Sequence, residues 1–132
     1  MINGEIVPGV RIGNCYIGKQ KSIILRLFPE LYHTWERGDG FSIYTYENMK
    51  LWFDTDGTLQ QIGVSSGFAE TYQTIGIGST MQDVTECFGG YRNEGDEYYI
   101  PGVDGLCFEL ADTENWNELT APVEWIYVYR ID

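Results

Sequence analysis

The sequence has no lysine or arginine between Asn93 and Tyr129. Across the chain, 8 basic residues stand against 20 acidic ones, and the net charge is −12. Residues 1–66 hold 7 acids and 6 bases, a net −1, whereas residues 67–132 hold 13 acids and 2 bases, a net −11. The electrostatic field of such a chain repels nucleic acid and anionic membranes and attracts basic partners. We therefore expect neither nucleic acid nor a membrane as a partner.

Long apolar runs and a secretory signal are also lacking. No run of about 18 apolar residues occurs, so no transmembrane helix is predicted. The first residues, Met-Ile-Asn-Gly-Glu-Ile, have neither a basic region nor an apolar core. The 3 cysteines, Cys15, Cys87 and Cys107, lack metal-type spacing, and Cys87 and Cys107 fall at positions predicted to be buried. We therefore expect reduced thiols in a cytoplasmic protein.

Catalytic and metal-binding patterns are sparse. The single histidine, His33, stands among aromatic residues, which favours a loop or packing role over a base. Asp54-x-Asp56-Gly57 resembles part of a calcium loop, but no Glu closes it at the required spacing, so a hairpin turn is predicted. We expect no catalytic residue, metal or cofactor, and hence no enzyme. The many carboxylates leave a small carboxylate-based hydrolase as an alternative.

The segment from Ile75 to Tyr91 predicts a short helix with both ends marked. Ser79 is the expected N-cap, with Gln82 placed to complete a capping box. Gly89 and Gly90 are expected to end the helix in a left-handed turn. Four apolar side chains fall on one helical face: Met81, Val84, Cys87 and Phe88.

The same pattern occurs 60 residues earlier, which predicts two copies of one unit. The matching pairs are Ile17 with Ile77, Gly18 with Gly78, Ile24 with Val84, and Phe28 with Phe88. A first helix is predicted at about 19–27, and each helix is followed by three predicted strands separated by turns. These strands are 41–46, 49–53 and 58–64 in the first copy and 96–100, 106–110 and 123–131 in the second.

The predicted fold is therefore α+β, a single domain over 1–132 made of two repeats at about 1–66 and 67–132. Each repeat is a helix followed by a three-stranded meander. One unit alone cannot cover both its helix and its sheet. We expect the two copies to form one curved antiparallel sheet of about six to eight strands, with both helices on one face. Residues 1–16 are expected to be short strand-like pieces broken by turns.

Two stretches carry a resemblance to a known family. Ile77-Gly78-Ser79-Thr80 with Val84 and Gly89-Gly90, and Leu51-Trp52-Phe53-Asp54-Thr55-Asp56-Gly57-Thr58-Leu59, resemble the β-lactamase inhibitor protein fold and its single-repeat relatives. The resemblance implies a curved sheet whose concave face grips another protein. The secreted inhibitors of that family carry a signal and paired cysteines, which this sequence lacks. In type, a small acidic binder of this kind is similar to the immunity proteins of bacterial toxin systems, in the contact-dependent growth inhibition class.

These observations predict an immunity or inhibitor protein that binds and neutralises a basic bacterial toxin, expected to be a nuclease. An acidic nucleic-acid mimic that blocks a DNA-binding host protein is the alternative among binders. The acidic second half, where aromatic residues alternate with charges, is the expected recognition surface. The candidate partner-binding residues are Glu94, Asp96, Glu97, Asp104, Asp112, Glu114, Trp116 and Glu118.

Overall fold

A computed structural model describes residues 2–131, which form two helices and two antiparallel sheets in an α+β fold. The smaller sheet has three very short strands, β1 (Ile6–Val7), β2 (Arg11–Ile12) and β3 (Cys15–Tyr16). These are the strand-like pieces predicted within residues 1–16, and turns at Pro8-Gly9 and Gly13-Asn14 separate them.

The larger sheet has eight strands in the order β4-β5-β6-β7-β11-β10-β9-β8. Each half of the chain contributes four consecutive strands, and the halves meet where β7 pairs with β11. The strands are β4 (His33–Glu36), β5 (Ser42–Thr45), β6 (Met49–Phe53), β7 (Leu59–Val64), β8 (Arg92–Glu94), β9 (Glu97–Tyr99), β10 (Leu106–Leu110) and β11 (Val123–Tyr129). β11 lies inside the sheet, between β7 and β10, and carries large apolar side chains on both faces.

Each helix precedes one of these four-stranded meanders. The helices are α1 (Lys21–Leu27) and α2 (Met81–Phe88). Within residues 2–131, neither is long and apolar enough to cross a membrane.

The prediction of three strands after each helix was wrong by one strand in each half. β4 lies between the predicted first helix and the strand predicted at 41–46, and β8 precedes the first strand predicted for the second half. Both are edge strands, and all seven of their residues are exposed. Their sequences therefore lack the alternation of buried and exposed side chains by which a strand is recognised.

The two halves share a backbone detail at the entrance to each helix. The N–H of Gly18 donates to the carbonyl of Leu59 at 2.8 Å, and the N–H of Gly78 donates to the carbonyl of Val123 at 2.9 Å. Leu59 and Val123 are the first residues of β7 and β11. The two glycines have φ angles of 92° and 91°, a left-handed conformation that costs glycine little.

The ends of α2 differ from the prediction by one residue at the start. Thr80, and not Ser79, is the N-cap: its side chain accepts from the N–H of Asp83, whose carboxylate accepts from the N–H of Thr80. Ser79 instead accepts a hydrogen bond from the N–H of Gly76. Gly89 ends the helix in the left-handed conformation, as predicted.

One face of the large sheet packs in a hydrophobic core with both helices. Ile24 of α1 and Val84 of α2 are buried with Leu51, Ile62 and Ile126 from the sheet. Phe28 is buried in this core and Phe88 is half-buried at its margin; their ring neighbours are Tyr46 and Tyr72 respectively. The opposite face of the sheet carries a separate aromatic cluster.

Candidate functional site

The face of the large sheet that turns away from the helices, called here the open face, is set by the strand register. Leu51, Ile62 and Val128 are directly opposite one another across neighbouring strands and point into the core. Because side chains alternate along a strand, the intervening residues point the other way. The open face across the five strands from β6 to β9 consists of Lys50, Trp52, Gln61, Gly63, Glu97, Tyr99, Cys107, Glu109, Trp125, Tyr127 and Tyr129.

Aromatic rings dominate the centre of the open face. Tyr127 is buried, with its ring centroid 5.7 Å from that of Trp52 in an edge-on contact and 6.1 Å from that of Trp125 in a stacked one. Tyr99 is also buried, and Tyr129 is half-buried. Such pairs contribute about 0.5–1.5 kcal/mol beyond the area they bury. The rings therefore stabilise one another on a face that, within residues 2–131, neither helix covers.

Two carboxylates are held by tyrosines on this face. The hydroxyl of Tyr127 donates to Glu109 Oε1 at 2.7 Å, and the hydroxyl of Tyr99 donates to Glu97 Oε2. Burial raises the pKa of both phenols, and the hydrogen bonds to the carboxylates raise the pKa further. Each carboxylate retains further lone pairs for other donors.

Basic side chains of the chain itself lie on the margins of the cluster. Lys50 Nζ is 4.5 Å from the ring centroid of Trp125, and the guanidinium carbon of Arg92 is 4.3 Å from that of Tyr99. Arg92 also forms an ion pair with Glu94 at 3.2 Å. The open face thus already holds cations against aromatic rings, at distances typical of cation–π contacts.

Two depressions lie beside predicted site residues of the acidic half. The first, called the face depression, is on the open face and has a volume of about 350 Å³; it is lined by Trp52, Gln61, Asp96, Glu97, Tyr99, Cys107, Glu109, Tyr127 and Tyr129. The second, called the edge depression, has a volume of about 390 Å³ and lies between the β8–β9 turn and the loop after β10. It is lined by Gly95, Asp96, Tyr98, Glu109, Leu110, Asp112 and Trp116. Asp96 and Glu109 line both.

Four of the eight predicted site residues lie at these depressions. Asp96 and Glu97 line the face depression, and Asp96, Asp112 and Trp116 line the edge depression. Trp116 is 47% exposed, which is a large exposed fraction for an aromatic side chain.

The other four predicted residues are more dispersed. Glu94 lies opposite Glu97 in the β8–β9 hairpin and forms an ion pair with Arg92. Glu114 is exposed in the loop that carries Trp116. Glu118 is half-buried beside Tyr91 and Tyr98; after burial, it is the main cause that raises the pKa of both phenols. Asp104 lies in the β9–β10 connection, at the opposite end of those strands from Asp96.

Glu109 is a site residue that the sequence prediction missed. The sequence does carry a signal, because the alternating apolar residues Leu106, Phe108 and Leu110 of the strand predicted at 106–110 turn Glu109 towards the other face. In the structure Glu109 is paired with Trp125 of β11. Only the strand order brings its carboxylate to the β8–β9 turn.

The cysteines are free thiols in the part of the chain that the structure describes. Cys15 and Cys107 are buried, and burial raises the pKa of each thiol to about 12. Cys87 is exposed, so the prediction that it is buried was wrong. It lies on the flank of α2, where its Sγ faces the carbonyl of Gln73 at 3.6 Å and not the core.

Similarity to known proteins does not indicate a family for this chain. Comparison with protein-family models, with curated proteins and with solved structures finds no match. Among residues 2–131, no group of three or more His, Cys, Asp or Glu residues is arranged to hold a metal ion. What the chain does is therefore inferred from its charge and from the geometry of the open face.

Proposed function

We propose that this chain is an immunity or inhibitor protein that binds and neutralises a basic bacterial toxin, and that the toxin is a nuclease. One observation carries the proposal: an uncovered aromatic cluster lies beside exposed carboxylates in the half of the chain with a net charge of −11. Protein interfaces combine an aromatic centre with a polar rim. Nucleases that bind the phosphate backbone present basic surfaces, which complement this one.

The exposed carboxylates would form the rim of the interface. Glu94, Asp96 and Glu97 lie at the β8–β9 turn, and Asp112 and Glu114 lie in the neighbouring loop; all five are exposed. Rim charges chiefly steer the encounter and raise the association rate. The aromatic cluster, once covered by a partner, would supply most of the binding free energy.

A tandem repeat of the inhibitor type is part of this proposal. Gly18 and Gly78 make matching hydrogen bonds to the first residues of β7 and β11, and a four-stranded meander follows each helix. Both features support two copies of one unit, which the resemblance to the β-lactamase inhibitor protein fold implies. Three free thiols support the proposed cytoplasmic location.

Two other functions have less support. An acidic nucleic-acid mimic that blocks a DNA-binding host protein is favoured by the same carboxylates, but imitation of phosphates needs no aromatic cluster. A small carboxylate-based hydrolase would need a carboxyl group free to transfer protons. Glu97 and Glu109 each accept a hydrogen bond from a tyrosine, which is an arrangement suited to holding negative charge.

Affinity capture tests the proposal. The wild-type chain and the triple variant Glu94→Lys, Asp96→Lys, Glu97→Lys are immobilised and exposed to a lysate of cells that carry the gene. We expect the wild type to retain a basic protein, identified by mass spectrometry, whose nuclease activity falls as the chain is added up to a 1:1 ratio. The triple variant should not retain it. If both chains retain the same proteins, or if the retained protein is not basic, the proposal is wrong.

A further inference from the structure

The basic side chains of the open face lie at its margins and leave the centre without a cation. Lys50 lies over Trp125 and Arg92 lies over Tyr99. Arg37 and Arg130 line an adjoining depression, which shares Trp52, Gln61, Glu97 and Tyr129 with the face depression. The face depression itself is lined by five aromatic or thiol side chains, one amide and three carboxylates, and no basic residue lines it. Aromatic rings of the kind that hold Lys50 and Arg92 therefore also line the face depression, which neither basic side chain fills.

The face depression has more unused hydrogen-bond acceptors than unused donors. The hydroxyls of Tyr99 and Tyr127 already donate to Glu97 and Glu109. A carboxylate has about four lone-pair sites, so each has unused acceptor capacity after its tyrosine has donated. A ligand that offers several N–H donors and no acceptor would match this arrangement.

The floor of the face depression is electronegative as well. Cys107 is only 4% exposed there. Burial raises the pKa of its thiol to about 12, and Glu97 and Glu109 add to the shift. Both carboxylates therefore act on the floor of the depression, and each would attract a cation placed above it.

We propose that the face depression binds the guanidinium group of an arginine side chain from the basic partner, which rests on the proposed function. Guanidinium offers five N–H donors in a planar fork, so it can donate hydrogen bonds to Glu97 and to Glu109 at the same time and also stack on an aromatic ring. The ammonium group of lysine is compact and more strongly hydrated, so it matches the depression less well. A volume of about 350 Å³ admits the guanidinium with its apolar stem.

Titration with Nα-acetyl-arginine methylamide, followed by ¹H–¹⁵N NMR, tests this directly. We expect saturable shifts centred on Tyr99, Cys107 and Tyr127. The corresponding citrulline derivative, which has the same shape without the charge, should bind at least about tenfold more weakly, because charge-assisted hydrogen bonds are the stronger ones. The lysine derivative should fall between the two. Shifts spread over all acidic surfaces, or equal binding of arginine and citrulline derivatives, would overturn the proposal.

A matched pair of double variants removes equal charge inside and outside the depression. Glu97→Gln with Glu109→Gln keeps a side-chain carbonyl to accept from Tyr99 and Tyr127, so the fold is expected to persist, and thermal melting checks this. Glu70→Gln with Glu86→Gln changes two exposed residues of the same half. The first pair should weaken binding of the arginine derivative at least about fivefold, while the second pair should leave it unchanged. Equal affinities in the two double variants would contradict the proposal.

The same variants, tested against the basic protein that the wild type captures, separate this inference from the proposed function. Weaker binding by the Glu97/Glu109 variant alone supports the arginine site. Equal binding by both variants and the wild type overturns it and leaves the proposed function standing. If the wild type binds no basic protein at all, the proposed function fails, and the arginine site loses its occupant with it.

Discussion

Gly63 of β7 lies directly opposite Tyr127 of β11, beneath the ring. A Cβ atom at Gly63 would lie 2.8 Å from Tyr127 Cε1 and 3.3 Å from Trp52 Cζ3. The Tyr127 ring cannot easily move aside, because its hydroxyl is bonded to Glu109 and the ring is stacked on Trp125. The missing side chain at Gly63 thus lets the rings of Trp52 and Tyr127 meet.

We predict that Gly63→Ala destabilises the protein. Alanine gains about 0.5–1 kcal/mol over glycine in a strand, but overpacking costs about 1–3 kcal/mol, which leaves a net loss of about 1 kcal/mol. The control is Gly38→Ala, because no atom lies within 4 Å of the added Cβ there. Urea denaturation of both variants measures the difference. A Gly63→Ala protein as stable as the Gly38→Ala control would show that the rings are not tightly placed.

The cap of α2 gives a second prediction. Thr80→Ala removes the acceptor for the N–H of Asp83 and breaks the capping box. It should cost about 1 kcal/mol in the free energy of unfolding. Ser22→Ala on the exposed side of α1 should be neutral or slightly stabilising, because alanine is the better helix former. If the two variants unfold at the same denaturant concentration, the assigned cap is wrong.

The thiols should differ in reactivity. Cys87 is exposed, whereas Cys15 and Cys107 are buried with pKa values of about 12. Since the thiolate is the reactive form, Ellman's reagent at about pH 8 should modify one thiol per native chain rapidly. The other two should react only after denaturant is added, and a reductant should leave the melting temperature unchanged. Rapid reaction of all three thiols, or a disulfide in freshly purified protein, would contradict this assignment.

Stability should fall at alkaline pH because buried tyrosines must ionise. Burial raises the pKa of Tyr46 from 10.0 to about 12, with smaller contributions from nearby acidic groups, and burial also raises the pKa of Tyr99 and Tyr127. A tyrosine whose pKa is higher in the folded than in the unfolded protein stabilises the fold at every pH below its unfolded-state pKa. That contribution is lost as the pH rises through the folded-state pKa. We therefore expect the free energy of unfolding to decrease between about pH 10 and 12. A flat profile over that range would contradict the burial of these phenols.

Much of the fold followed from patterns local in the sequence. The strand predicted at 49–53 forms β6, and its alternate apolar residues Met49, Leu51 and Phe53 are all buried. The Asp54–Gly57 hairpin formed as predicted, with Asp54 Oδ1 accepting from the N–H of Asp56 and of Thr58. Gly89 ended α2 as predicted. In each case the signal lies within a few consecutive residues of the sequence.

The features that the sequence did not predict depend on distant contacts or on exposure. Trp35 lies in β4 and is 61% exposed, so its strand leaves no hydrophobic pattern. The pairing of β7 with β11 joins residues far apart in sequence, and no local signal selects that partner. The approach of Glu109 to Asp96 follows from the strand order in the same way. Four of the eight predicted site residues therefore lie at the depressions, whereas Glu109 joins them only through the order of the strands.

Electrostatic steering is the most direct consequence of an acidic recognition surface. Exposed carboxylates raise the association rate with a basic partner, and salt screens their field with a Debye length of about 10 Å at 0.1 M. The triple variant Glu94→Lys, Asp96→Lys, Glu97→Lys reverses this field at the β8–β9 turn. The matched variant Glu36→Lys, Glu47→Lys, Asp56→Lys makes the same charge change at exposed positions of the first half.

The deciding measurement is the association rate of the purified chain with its captured basic partner as ionic strength rises from about 0.05 M to about 0.5 M. For the wild type we expect a decrease of at least about tenfold. At low salt, the Glu94/Asp96/Glu97 variant should bind at least about tenfold more weakly, or about 1.4 kcal/mol, and the first-half variant much less so. A rate that does not depend on salt, or equal losses in the two triple variants, would show that the acidic half is only a solvated surface.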